Sequence, residues 1–147
     1  MTKRRLNSGA PPLRPAGSAI GAPGIGIDVI EIARLERALE RRPRLRERLF
    51  SAAELEHADS HRRPGRSLAA LFAAKEAALK ALGIGGLRLH EVEVRGGGSE
   101  PPVLVLHGEA AATARRQGIR LAVSLSHERE VAVAVVVSQP EPSLETA

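Results

Sequence analysis

The sequence predicts an α+β domain in which one long helix packs against a mainly antiparallel sheet, and three observations carry that expectation. Gly24-Ile25-Gly26-Ile27-Asp28-Val29-Ile30 is rich in β-branched apolar residues and reads as a buried strand ending at a polar site. From about Arg66 to Leu82, Leu68, Leu71, Phe72, Leu79 and Leu82 recur at helical spacing and form one apolar face. The second half then turns to strand patterns that close in a hairpin. At 147 residues the chain has room for one domain with its own core.

Taken in order, residues 1-23 are rich in Pro, Gly, Ala and Arg, lack periodicity, and are expected to form a disordered basic extension. The folded domain is expected over residues 24-138, with a fraying tail at 139-147. After the first strand, Ile32, Leu35 and Leu39 give an amphipathic helix from Glu31 to Arg41, with Arg34, Arg37 and Arg41 as a basic stripe. Pro43 interrupts it, and Ser51 with Glu54 three residues later forms a capping-box pattern opening a second helix. Gly83 is the expected stop of the long third helix. His90 to Arg95 and Pro102 to His107 read as strands joined through Gly96-Gly97-Gly98, and Glu109 to Gln117 as a short helix. Ile119 to Ser126 and Glu130 to Val137 form the closing hairpin around His127-Glu128-Arg129.

Composition narrows the chemistry. With no cysteine there are no disulfides, thiolate nucleophiles or cysteine-held zinc, so any metal must be held by oxygen or imidazole. No stretch is long enough without charge to cross a bilayer, and a soluble cytoplasmic protein without membrane partners is expected. The net charge of +5 suggests nucleic acid until it is located. Lys3, Arg4, Arg5 and Arg14 precede the first acid, Asp28, so most of the excess sits on the extension. There is no Trp or Tyr to stack on bases, and no nucleic-acid partner is expected.

Several familiar patterns are absent. The glycines of Gly21-Ala22-Pro23-Gly24-Ile25-Gly26 precede a strand, whereas a dinucleotide fingerprint follows one and opens a helix. His57 and His61 lie one helical turn apart, but Ala58 stands where a metalloprotease needs Glu. Ser126 and His127 are adjacent on a strand and point to opposite faces, so they do not make a nucleophile and base.

What remains is a set of charges in separate elements. Glu76 and Lys80 lie one turn apart on the long helix and present a carboxylate and an ammonium together, a pattern that a simple surface ion pair also explains. Asp28 in an apolar strand needs a partner or a metal, because burying it unpaired costs several kcal/mol. Asp28 and Glu76 could converge on one hard cation, and Mg²⁺ usually binds through one or two carboxylates plus substrate phosphate oxygens.

Three motifs then resemble one family in order and interval. Gly26-Ile27-Asp28-Val29-Ile30-Glu31-Ile32 with Arg34, Phe72-Ala73-Ala74-Lys75-Glu76-Ala77 with Lys80, and Ser124-Leu125-Ser126-His127 resemble those of the short holo-acyl-carrier-protein synthases, which are phosphopantetheinyl transferases. The resemblance covers roughly residues 24-138 and implies a phosphopantetheinyl transferase-like fold with one pseudo-half per chain. It also implies transfer of 4′-phosphopantetheine from coenzyme A to a serine of an apo acyl carrier protein, releasing 3′,5′-ADP. By the same resemblance Asp28 and Glu76 are the catalytic pair and the Mg²⁺ ligands, Glu76 guiding serine deprotonation directly or through water on the metal. Lys80, His127, Lys75 and Gly83 fall on the coenzyme A side, and Arg34, Arg41 and Arg44 on the face that docks the carrier. Short members resemble homotrimers with coenzyme A between subunits.

Two positions depart from the family's pattern. Leu71 stands where an Arg is common before Phe-Ala, and Ile84 where Thr often lies between glycines, which removes polar groups expected near coenzyme A unless Arg66 or Arg88 compensates. These departures motivate an alternative, a coenzyme A- or carrier-binding module without catalysis. A basic nucleic-acid adaptor working through residues 1-23 is the third reading.

Overall fold

A computed structural model of the chain describes residues 24-142. The expected extension 1-23 and the last five residues of the expected tail lie outside the described residues. The described chain runs β1 (Ile25–Glu31), α1 (Ile32–Arg41), α2 (Leu45–Leu49), α3 (Ala52–Asp59), α4 (Pro64–Leu82), a 3₁₀ turn (Leu89–Glu91), β2 (Val92–Gly97), β3 (Glu100–Leu106), α5 (Gly108–Gln117), β4 (Ile119–Glu128) and β5 (Val131–Pro140).

The expected antiparallel sheet is divided in two: β1-β5-β4 forms a three-stranded sheet and β2-β3 a separate hairpin. Helix α4 is central and touches both. It starts with Pro64 at its first turn, two residues before the expected Arg66, because proline's fixed φ suits a position whose N–H has no helical partner anyway. It ends at Gly83, whose φ of 71° lies in the left-handed region that a Cβ penalises.

The middle of α4 is faced with alanine, and Ala73, Ala74, Ala77 and Ala78 are fully buried. Small side chains let β1 approach closely, and Gly26 lies directly against the Ala77 carbonyl. Alternation along β1 then sends Asp28 to the same α4-facing side as Gly26. Ile25, Ile27 and Val29 take the other side, where they are 69%, 55% and 60% exposed.

The capping box of α3 forms as expected: Ser51 Oγ accepts from the Glu54 N–H, and the Glu54 carboxylate accepts from the Ser51 N–H. Helix α2 is an addition to the expected elements, following directly on the break at Pro43; Leu45 and Leu49, four apart, carry it against the core. The strand expected from His90 begins at Val92 instead, because Leu89–Glu91 close a 3₁₀ turn whose Leu89 carbonyl accepts from Lys75. His107 is likewise not in a strand but at the cap of α5, with its Nε2 3.2 Å from Glu93 Oε2. In the closing hairpin the turn is Arg129-Glu130, and His127 lies inside β4 opposite Ala132. Strand β5 continues to Pro140, two residues into the expected tail.

Candidate active site

Strand β1 and helix α4 bring Asp28 and Glu76 onto one cleft of about 490 Å³, together with Arg34 and Arg42 of the α1 region. An apolar wall of Leu45, Leu49, Phe72, Leu87 and Leu89 completes it. The two acids are 48 positions apart in the chain, and the close packing of β1 on alanine-faced α4 is what joins them.

Lys80, one turn after Glu76, turns its ammonium to Asp28: Nζ donates to Asp28 Oδ1 and to the Ile27 carbonyl, both at 2.8 Å. The simple surface pair between Glu76 and Lys80 is therefore replaced by a contact between elements. The Lys80 side chain is 51% exposed and that of Asp28 18%, so the lysine offers a solvent-facing ammonium while Asp28, mostly buried, needs this partner or a cation in its place.

Glu76 is half-buried, and desolvation raises its pKa above the ordinary carboxylate value. The neighbouring Asp28 charge raises it further, while Lys80 opposes the shift. Two carboxylates that repel in a shared cleft form an oxygen-only donor pair, which suits a hard divalent cation completed by phosphate oxygens and water. Among the described residues no cluster of three or more His, Asp or Glu could hold a metal by protein ligands alone.

The raised pKa has a measurable consequence. Between the ordinary carboxylate value and the raised one, the folded chain holds a proton that the unfolded chain has released, so stability falls as pH rises through that window. Glu76→Gln should accordingly melt above wild type at neutral pH without metal, and the difference should vanish at a pH below both values. Calorimetry across that range checks it; a variant melting below wild type at neutral pH would count against the repulsion.

The other expected site residues divide. Arg34 lines the cleft, and Arg42, not singled out from the sequence, lies on the same wall just past the end of α1. Arg44 borders an adjoining groove with Arg42 and Arg48, and Arg41 is exposed at the end of α1. His127 lines a separate basic depression of about 430 Å³ with His61, Arg62, Arg63 and Arg66. Arg66 also donates to the Arg129 carbonyl at 3.3 Å. Gly83 serves as the α4 cap.

Lys75 corrects the expectation of a coenzyme A contact. Its side chain is 1% exposed, and Nζ pairs with Glu54 Oε2 at 2.7 Å while donating to the carbonyls of Val92 and Leu89. Burial pushes the ammonium below the usual lysine value, opposed by the hydrogen bond and charge of Glu54. The two motif departures are also packing residues: Leu71 is buried and Ile84 lies against the core. Arg88 is engaged with Glu91 at 3.1 Å.

A half-buried carboxylate pair flanked by Lys80 and Arg34, carried by a β1–α4 pairing, suits a divalent cation and phosphate groups, and comparison with known proteins supplies the class. The chain belongs to the 4′-phosphopantetheinyl transferase superfamily, whose family model matches residues 24-136. Within it the chain groups with the holo-[acyl-carrier-protein] synthases. It is 50% identical over 118 residues to that of Streptomyces griseus, covering 79% of this chain and 97% of the relative. To that of Moorella thermoacetica it is 47% identical over 115 residues, covering 76% and 90%. The fold is similar to that of the Helicobacter pylori holo-[acyl-carrier-protein] synthase solved in complex with coenzyme A, with a TM-score of 0.67 and 31% identity, covering 78% of this chain and 99% of the other.

Proposed function

We propose that this chain transfers 4′-phosphopantetheine from coenzyme A to a serine hydroxyl of an apo acyl carrier protein, releasing 3′,5′-ADP, and that the cleft shared by Asp28 and Glu76 is where transfer occurs. The observation that carries the proposal is the convergence of those two carboxylates from separate elements. The similar Helicobacter pylori enzyme is named for the same reaction and was solved with coenzyme A.

In this reading Asp28 and Glu76 hold Mg²⁺, which when bound neutralises charge on the pyrophosphate of coenzyme A. Lys80, half exposed beside Asp28, takes a phosphate oxygen. The apolar wall of Leu45, Leu49, Phe72 and Leu87 suits the pantetheine arm. The serine oxygen forms a bond to the β-phosphorus as the bridging bond to 3′,5′-ADP breaks. Glu76 lines the cleft where it guides removal of the serine proton, directly or through a water. Arg34, with Arg41, Arg42 and Arg44 beyond it, offers cations to the acidic helix beside the carrier serine. His127, Arg63 and Arg66 offer a second basic surface for the nucleotide end of coenzyme A, with Arg66 supplying the charge that Leu71 lacks.

The assembly is proposed to be a homotrimer with active sites between subunits. Its support is the outer face of β1-β5-β4, where Ile25, Ile27 and Val29 stand opposite Val137, Val135 and Val133. Contiguous exposed apolar surface of this kind marks an interaction site. Ile27→Asp places a charge in the middle of that face, and light scattering should then find monomer with transfer activity largely lost. A monomeric wild type with full activity would overturn the trimer.

No helix among the described residues is long and apolar enough to cross a membrane, and a cytoplasmic location belongs to the same proposal. Its direct test is intact-protein mass spectrometry of an apo acyl carrier protein incubated with this protein, coenzyme A and Mg²⁺. The carrier should gain the mass of one phosphopantetheine arm, and EDTA should prevent the gain. Coenzyme A binding without any mass gain on a panel of carriers would favour a module that binds but does not transfer.

A further inference from the structure

Lys75 and Glu54 are the most deeply buried charged side chains among the described residues, and the chemistry proposed above uses neither. Their hydrogen-bonding capacity is spent on four elements. Glu54 Oε2 accepts from the Ser51 N–H at 2.8 Å and from Lys75 Nζ at 2.7 Å, and Glu54 Oε1 accepts from the Val94 N–H at 2.8 Å. Lys75 Nζ donates further to the Val92 carbonyl at 2.7 Å and the Leu89 carbonyl at 3.3 Å. The hub thus ties the start of α3, the middle of α4, the 3₁₀ turn and the start of β2.

The ion pair itself adds little, since desolvating two ions offsets most of their attraction. Its worth lies in the backbone groups it partners, the Ser51 and Val94 N–H and the Val92 and Leu89 carbonyls, which hold these elements in a single geometry. Here geometry has a use, because Glu76 follows Lys75 directly, and consecutive helical residues project about 100° apart. The face of α4 toward β1 is mostly alanine, whose short side chains interdigitate little and resist rotation of the helix weakly. Lys75, held from the β2 side, resists it with three directional bonds.

We propose that Glu54 and Lys75 are positioning residues for the transfer site: by anchoring α4 to β2 and the 3₁₀ turn, they set the rotation of α4 that aims Glu76 into the cleft beside Asp28. This rests on the assignment of Asp28 and Glu76 as the metal-binding pair. It accounts for a lysine in the motif beside Glu76 that never reaches the cleft.

The test uses full-length Glu54→Leu/Lys75→Met and, as a near-isosteric second variant, Glu54→Gln, with Glu76→Gln as reference. Melting temperature, coenzyme A affinity without metal, Mn²⁺ affinity by water-proton relaxation, and kcat with Mg²⁺ are measured on each. The double variant should fold but melt below wild type, since the Ser51 and Val94 N–H groups and the Val92 and Leu89 carbonyls lose their partners, and should bind coenzyme A unchanged, while Mn²⁺ affinity and kcat fall by about tenfold, the scale for losing the support of a metal ligand. Glu54→Gln should move both in the same direction. Wild-type Mn²⁺ affinity and kcat in either folded variant would overturn the proposal. Failure of both variants to fold would also overturn it, since the pair would then serve folding rather than aim. If Glu76→Gln itself leaves Mn²⁺ binding and transfer intact, the assignment of the site fails instead.

Discussion

Asp28→Ala and Glu76→Ala should each abolish the mass gain of the carrier while leaving the chain folded, a loss of at least about 10²-fold in kcat. Both side chains sit on the cleft rather than in the core, so neither truncation opens a cavity among packed residues. Removing Glu76 relieves a carboxylate that burial and Asp28 already disfavour. Removing Asp28 leaves the Lys80 ammonium with the Ile27 carbonyl and with water, which its exposure permits. The transition state is different. It concentrates charge on the transferring phosphoryl group and the leaving 5′-phosphate oxygen of 3′,5′-ADP, and one remaining carboxylate holds a divalent cation poorly. Circular dichroism with stopped-time mass spectrometry separates the two outcomes; full turnover by both folded variants would refute the assignment.

Gly26→Ala should be the most damaging single-methyl addition in the domain, costing about 3 kcal/mol or more by overpacking. A Cβ on Gly26 would overlap the Ala77 carbonyl oxygen, and the Ala77 carbonyl carbon and Ala81 nitrogen lie close behind it. All three are backbone atoms of α4, so no rotamer change relieves the clash, and β1 must move away from the helix. Asp28 lies two residues further along the same face of β1, so activity should fall with stability. Gly85→Ala is the control: a Cβ there meets nothing within 4 Å, and a change within about 0.5 kcal/mol is expected. Urea midpoints compare the pair. Equal midpoints would mean that β1 and α4 are not so closely apposed.

How much of this could be read from the chain alone differs by residue. Ser51 with Glu54, Pro64 and Gly83 act through neighbours within a few positions, and the capping box and the Gly83 stop form where expected. Asp28 was conspicuous as a single acid in an apolar strand, and Glu76 as part of a motif in register with two others. Lys75 was misassigned by its charge although its position carried the signal. It continues the series Leu68, Leu71, Leu79 and Leu82 on the apolar face of α4, whereas Glu76 steps off it. Its partner Glu54 gave no such signal, since the capping box explained that residue fully while its second oxygen serves Val94, 40 positions away. Arg42 was not legible by helical spacing, since it follows the last residue of α1 and reaches the cleft through the non-helical backbone of the cap. His127 was moved from turn to strand by two residues of hairpin register, which local polarity could not specify.

By itself, then, the sequence determined what depends on near neighbours: helix and strand periods, caps, and the order of three motifs. Only the tertiary structure decided which charges meet. Asp28 with Glu76, Asp28 with Lys80, and Lys75 with Glu54 each join separate elements, and which of several equally charged candidates is buried, paired or left facing the cleft follows from the packing of α4 on both sheets. The cost of desolvating a charge is set by what surrounds it in space, and position along the chain does not fix those surroundings.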